Sequence, residues 1–233
     1  MFTGSVNKED FRYERKFFIS DLTKHEIESL IRLHPAMFVE IFYERFVNNI
    51  YFDSVNLKNY SDNVDGNFNR IKIRIRWYGE LFGSIEKPVL ELKIKNGLLG
   101  RKVSYPLCPF ILDNDFNADA TSTLINKSEI PEILKLNLQS SIPTLLNCYS
   151  RKYFQSTDRN YRITIDTNQV FYEIGLHNNA FLRRISDNIN VILELKYDRH
   201  QEDNSNIITN YFPFRVTKSS KYVNGFRNNF CFL

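Results

Sequence analysis

The side chains best suited to chemistry are basic residues set at every second position along short apolar stretches. In Ile71-Lys72-Ile73-Arg74-Ile75-Arg76-Trp77, the isoleucines and the tryptophan share one face of a strand. Lys72, Arg74 and Arg76 share the other. Leu90-Glu91-Leu92-Lys93-Ile94-Lys95 repeats the arrangement. Arg162, Thr164 and Asp166 alternate with Tyr161, Ile163 and Ile165, and Glu194 and Lys196 alternate with Leu193, Leu195 and Tyr197. An opening strand, roughly Phe11 to Ile19, puts Arg12, Glu14 and Lys16 on one side.

The charges on these faces are unbalanced. Lys16, Arg74, Arg76, Lys93, Arg151, Arg162, Lys196, Lys218 and Lys221 stand against Glu14, Glu91 and Glu194. The chain holds 31 basic and 27 acidic residues, net +4, so the remainder carries 22 basic and 24 acidic. A solvated sheet face would carry both signs about equally. A basic face inside a near-neutral surface instead indicates a bound polyanion. Arginine forks bind two phosphate oxygens at once, and lysine supplies a mobile point charge. Carboxylates among these cations suit a divalent metal, Mg²⁺ or Mn²⁺, held by one or two carboxylates, phosphate oxygens and water. Glu194 and Glu14 are the candidate ligands. A salt bridge to a neighbouring Lys or Arg is the competing role, equally open for Glu14 and Glu91.

The elements that must position these residues are mainly strands. Asn96-Gly97 marks a turn between a strand ending near Lys95 and one starting near Arg101. Ser20 or Asp21 is expected to cap a helix running to about His34, with Ile27, Leu30 and Ile31 on its apolar stripe. Glu129 to Asn147 reads as two short helices broken at Pro143. Tyr222, Phe226 and Phe230 recur every four residues, predicting a last helix after Lys218-Ser219-Ser220-Lys221. Without a linker, low-complexity block or repeat, residues 1–233 read as a single domain. The expected class is α+β: a closed antiparallel β-barrel, its polar faces lining the lumen and a few helices packed outside.

The polar N-terminus lacks the apolar core of a signal peptide, and no stretch approaches the roughly 20 apolar residues that cross a bilayer. A cytoplasmic protein without direct membrane insertion is expected. Cys108, Cys148 and Cys231 form no CxxC pair and read as reduced thiols. Nucleic acid is not an expected partner, because the basic residues alternate with aliphatics on strands and no exposed aromatic platform stands out.

Nine segments in order carry a family resemblance. They are Tyr13-Glu14-Arg15-Lys16-Phe17-Phe18-Ile19, Ile50-Tyr51-Phe52-Asp53-Ser54, Arg74-Ile75-Arg76-Trp77-Tyr78-Gly79, Glu91-Leu92-Lys93, Arg101-Lys102, Tyr149-Ser150-Arg151-Lys152-Tyr153, Arg162 to Thr167, Leu193-Glu194-Leu195-Lys196 and Lys218-Ser219-Ser220-Lys221-Tyr222. Across nearly the whole chain this order resembles the VTC domain, the polyphosphate polymerase domain of the vacuolar transporter chaperone complex. The resemblance implies a triphosphate tunnel metalloenzyme that transfers the terminal phosphoryl group of ATP to a growing polyphosphate. Lys16, Arg74, Arg76, Lys93 and Glu194 would then serve catalysis. Phosphate binding would draw on Lys16, Arg74, Arg76, Lys93, Lys102, Arg151, Arg162, Lys196, Lys218, Ser219 and Lys221, and Glu194 would hold the metal. Ser219 and Ser220 would add hydroxyl donors at the tunnel mouth, and helix capping is at least as good a role for them.

Two departures from the family pattern bear on function. Neither a phosphate-sensing SPX domain nor a membrane segment accompanies the motifs, so regulation and any membrane-protein partner stay open. Arg12 stands where the ExExK signature of related triphosphatases has its first glutamate, which favours a polymerase. The alternatives are an inorganic or nucleoside triphosphatase, with Glu91 or Glu14 as general base, and a non-catalytic polyphosphate or nucleotide binder.

Overall fold

The computed structural model describes residues 11–175, 179, 181 and 183–230, and the side chains of 228–230 fall outside that description. Eleven strands and six helices follow in the order β1 (Arg12–Ile19), α1 (Lys24–Arg32), β2 (Val39–Ser54), α2 (Lys58–Asp65), β3 (Asn69–Tyr78), β4 (Gly83–Ile85), β5 (Val89–Asn96), β6 (Leu99–Pro106) and β7 (Phe110–Leu112). Then come α3 (Ala118–Lys127), α4 (Glu132–Gln139), β8 (Ser141–Gln155), β9 (Tyr161–Glu173), β10 (Arg184–Asp187), β11 (Val191–Asp198), α5 (Ser205–Thr209) and α6 (Lys221–Phe230).

Nine strands form one antiparallel sheet in the order β10-β9-β11-β1-β6-β5-β3-β2-β8, and a further β9–β8 pairing bends it into a ring. The ring is uneven. β2 and β8 pair over nearly their whole lengths, whereas β1 and β6 meet through Arg12 and Gly100 alone.

The apolar faces point outward under two covers. α3, α4, β4 and β7 bury Ile50, Phe52, Ile75, Trp77, Leu90 and Leu92. α1 and α5 bury Phe17, Ile19, Ile163, Ile165, Leu193 and Leu195. Burying such side chains stabilises the ring by about 1.5–3 kcal/mol each. α6 is placed differently. Its Tyr222 and Phe226 pack on Tyr51, Leu145 and Phe171, which belong to the inner face, so the last helix fills part of the lumen.

Several expectations need correction. Thr23, not Ser20 or Asp21, caps α1, because its hydroxyl accepts from the Glu26 N–H while the Glu26 carboxylate accepts from the Thr23 N–H. The segment Glu129–Asn147 holds only α4 as helix, and β8 begins at Ser141 with Pro143 inside it. Proline is tolerated there because Pro143 lies at a register shift opposite Phe52, where the ladder is interrupted. The helix α3, capped by Asn117, was not anticipated. Cys148 is buried and Cys108 half-buried, both as free thiols, and Cys231 and the Phe230 side chain lie outside the description. Among the described residues no helix is long and apolar enough to cross a membrane.

Gly225 lets α6 lie this close. A Cβ there would stand 2.3 Å from Phe171 Cδ1 and 2.7 Å from Leu145 Cδ2. Gly225→Ala gains up to about 1 kcal/mol of helix propensity but overpacks the lumen at about 1–3 kcal/mol. A lower urea midpoint is expected. An unchanged or raised midpoint contradicts this seating of α6.

Candidate functional site

Side chains that meet across the ring identify the lumen. Lys93 on β5 bonds Glu14 on β1 at 2.5 Å, skipping β6. Arg151 on β8 reaches Glu194 on β11 at 3.4 Å, skipping β9. Arg76 on β3 donates to the Tyr149 hydroxyl on β8 at 3.1 Å, skipping β2. Contacts that skip a strand require inward-pointing side chains, so these faces line a common interior.

The ion pairs fall into two groups. In the first, Glu91 accepts from Arg74 Nε and Nη2 at 2.9 and 2.6 Å and from Lys102 at 2.7 Å, with Arg76 at 3.5 Å. Arg76 is held further by the Asn49 side-chain carbonyl at 2.9 Å. In the second, Glu194 lies 2.8 Å from Lys196, 3.0 Å from Lys16, 3.4 Å from Arg151 and 3.7 Å from Lys221. Asp166 takes Arg151 in a bidentate pair at 2.5 and 2.6 Å and also pairs with Lys221. Lys16 joins this group to Glu14 at 3.3 Å.

These neighbours decide protonation. Burial alone would push the carboxyls up, yet Arg74, Arg76 and Lys102 hold Glu91 well below the usual range. Lys16, Lys196, Lys221 and Arg151 do the same for Glu194, and Lys93 and Lys16 for Glu14. Arg151 and Lys221 likewise outweigh burial at Asp166. Cations short of carboxylates move the other way. Burial first, and then Lys16, bring Lys93 down to about 8 despite Glu14. Lys72 falls well below the usual lysine range through burial and its neighbours Lys16 and Lys93. It donates to the Ser220 hydroxyl at 2.7 Å and, among the described residues, forms no ion pair.

Most of the expected site residues therefore converge. Lys16, Arg74, Arg76, Lys93, Lys102, Arg151, Lys196, Lys221, Glu14 and Glu194 all belong to the two groups. Arg162 shares the inward parity of β9 but is exposed at the strand's start, outside both. Lys218 is exposed, with Nζ 3.8 Å from where a Cβ on Gly66 would lie. Ser219 Oγ is buried without a hydrogen-bond partner. That argues against capping and leaves a free hydroxyl between the two lysines.

Sequence reasoning passed over three lumen residues. Lys72 and Asp166 carry the signal, since Lys72 shares strand parity with Arg74 and Arg76, and Asp166 with Arg162. Tyr149, two positions before Arg151, is buried beneath cations, with Arg151 5.2 Å and Lys221 4.5 Å from its ring centroid. The expectation of no aromatic platform also fails, because Phe42, Tyr43, Phe46 and Tyr78 are all about half exposed or more.

For a divalent metal, the donor set is small. Among the described residues no three carboxylate, histidine or cysteine side chains group around one point. Glu14 and Glu194 both reach Lys16, and Glu14 Oε1 is buried without a hydrogen bond. Two carboxylates that share Lys16, one of them with an oxygen held only by that ion pair, fit a Mg²⁺ or Mn²⁺ ion that draws its other ligands from phosphate and water.

The sequence matches the VTC domain family over residues 11–230. Among solved structures, a Vibrio parahaemolyticus protein described as a candidate adenylate cyclase superposes with a TM-score of 0.53 at 10% identity, covering 93% of this chain and 99% of that one. A Bacillus halodurans protein described in the same way gives 0.48 at 13% identity, covering 91% and 95%. No curated protein sequence matches. At such identity the first likeness shows a shared fold, the tunnel-like ring of strands.

Glu91 gives the test of this electrostatic arrangement. Its charge stabilises the fold above the ordinary carboxyl value of 4.5, and that contribution is lost as pH falls from there toward the depressed folded value. Glu91→Gln should lower stability at pH 7 by about 1–3 kcal/mol and flatten the acid limb below about pH 4.5. It should also enlarge the rise in Tm produced by tripolyphosphate. A variant with unaltered stability at both pH values contradicts the ion pairing.

Proposed function

The chain belongs to the VTC domain family, and from that premise we propose that it is a metal-dependent phosphotransferase that moves the terminal phosphoryl group of ATP onto a polyphosphate chain. The observation that carries this reading is the lumen, where Lys16, Lys72, Arg74, Arg76, Lys93, Lys102, Arg151, Lys196 and Lys221 outnumber Glu14, Glu91, Asp166 and Glu194 among the described residues. Nine cations against four carboxylates leave a net positive interior in which phosphates can replace carboxylates as partners.

In the transfer, a terminal oxygen of the acceptor chain bonds to the γ-phosphorus as the bond from that phosphorus to the β–γ bridging oxygen breaks. ADP leaves with that electron pair, and the chain is one phosphate longer. The acceptor oxygen is already ionised, so no base is needed and the protein's task is alignment and charge neutralisation. Arg74, Arg76 and Arg151 offer planar forks for non-bridging oxygens, while Lys16, Lys93 and Lys221 contribute movable charges. Glu194 and Glu14 would hold Mn²⁺ or Mg²⁺, which when bound supplies further charge neutralisation at the phosphates.

The protonation pattern argues against Glu14 and Glu91 as the base of a hydrolase. Activating water requires a base poised near neutrality. Glu14 and Glu91, the carboxylates expected in that role, are both held far too acidic by their cations.

Purified protein incubated with ATP and Mn²⁺ should yield ADP and long polyphosphate in equal phosphoryl amounts, separated on a gel. Free phosphate without polymer would make the chain a hydrolase, and tight binding without turnover a binder. Glu194→Gln should reduce turnover by at least about tenfold while tripolyphosphate still binds. Arg74→Ala should weaken tripolyphosphate binding by about tenfold or more. Its effect on stability should be small, because Glu91 keeps Lys102 and Arg76. Replacing the exposed Lys87, the neutral control, should change neither.

A further inference from the structure

Aromatic side chains gather where β2, β3 and β8 come together. The Arg45 guanidinium carbon lies 4.2 Å from the Tyr78 ring centroid, 4.8 Å from that of Tyr153 and 5.4 Å from that of Phe42. Arg45 Nε donates to the Tyr153 hydroxyl at 3.3 Å, and Phe42 packs edge-on against Tyr153 with centroids 5.6 Å apart. Phe42 and Arg45 have opposite strand parity. Register shifts against β8 on either side of Phe42 bring them to one side.

This cluster is poorly explained as core. Tyr78 is 48% and Phe42 52% exposed, so half of each ring faces water. Among the described residues Arg45 forms no ion pair, and its remaining N–H groups have no carboxylate to meet. The cluster is continuous with the lumen. Arg45 is the cross-strand partner of Arg151, whose guanidinium carbon lies 5.9 Å from the Tyr153 ring centroid. Tyr78 follows Arg74 and Arg76 on the same face of β3.

We infer that Arg45, Tyr78, Tyr153 and Phe42 form a stacking site for the base of the nucleoside triphosphate whose phosphates enter the tunnel beside Arg151. The inference rests on the phosphotransferase reading, which supplies the nucleotide. A flat π-system stacks on guanidinium and aromatic faces, and such stacking tolerates any base. The cluster holds no carboxylate or amide to read a base edge, so ATP and GTP bind within a few-fold of each other.

The test compares ATP with inorganic tripolyphosphate, each with Mg²⁺, by calorimetry on the full chain. Tyr78→Leu and Phe42→Leu keep apolar bulk and remove the stacking face. Each is expected to weaken ATP by at least about fivefold and to leave tripolyphosphate within twofold, with wild-type Tm. Equal loss for both ligands, or no loss for either, overturns the stacking site while leaving the tunnel reading intact. Wild-type protein that binds neither ligand overturns the tunnel reading and the stacking site with it.

Discussion

The structure depends on a difficulty in electrostatics: a tunnel-like ring of strands must hold many like charges away from bulk water. Isolated charges in such a place would be costly enough to be neutralised. The carboxylates relieve this by each serving several cations. Glu194 has four within 4 Å, Glu91 three, and Asp166 and Glu14 two each. Where the sharing runs out, the lysines give way. Arginine cannot release its proton, and Arg151 takes both oxygens of Asp166 while Arg74 gives two N–H groups to Glu91. Lys72, left with a hydroxyl, and Lys93 are the groups whose affinity for a proton falls.

The same constraint explains why the chain's end matters to a site built on its middle. α6 crosses onto the inner face and brings Lys221 to Asp166, which also clamps Arg151. Tyr222 donates to Asp53 at 2.7 Å, and Asp53 accepts the Asn59 and Tyr60 N–H groups at the start of α2. One buried carboxylate thus joins β2, α2 and α6. The apolar packing of α6 on Leu145 and Phe171 fixes the helix, and the helix fixes the lysine. Stability and charge placement are coupled at this end of the tunnel.

How far this could be read from the sequence follows from the faces of each strand. β3, β5 and β11 have aliphatic outer faces and charged inner ones, so period two revealed both the strands and their lumen residues. β2 and β8 did not yield in this way. From Thr144 to Cys148, β8 is buried on both faces, which erases the alternation, and its Pro143 imitates a helix break. β2 carries three register shifts, which scramble parity around Phe42 and Arg45. Arg162 shows the limit of parity as a guide: it points the right way but lies too near the strand's start to be enclosed. Spacing identifies a face, whereas position along the barrel depends on the stagger between strands.

Under the transfer proposed above, the four inner carboxylates would have a further consequence. A lumen of nine unopposed cations would grip a polyanion so tightly that it could not advance. With Glu14, Glu91, Asp166 and Glu194 present, a phosphate that meets any of these cations except Lys72 must displace a carboxylate from it. The gain from each new contact is then the difference between two charge-assisted bonds of similar strength, about 1.5–3 kcal/mol each before subtraction. Near-balanced exchange of this kind lets an occupant enter and still leave, as multi-site ion pathways require. For the transfer proposed above, the carboxylates that hold the empty ring together also keep the filled one from becoming a trap.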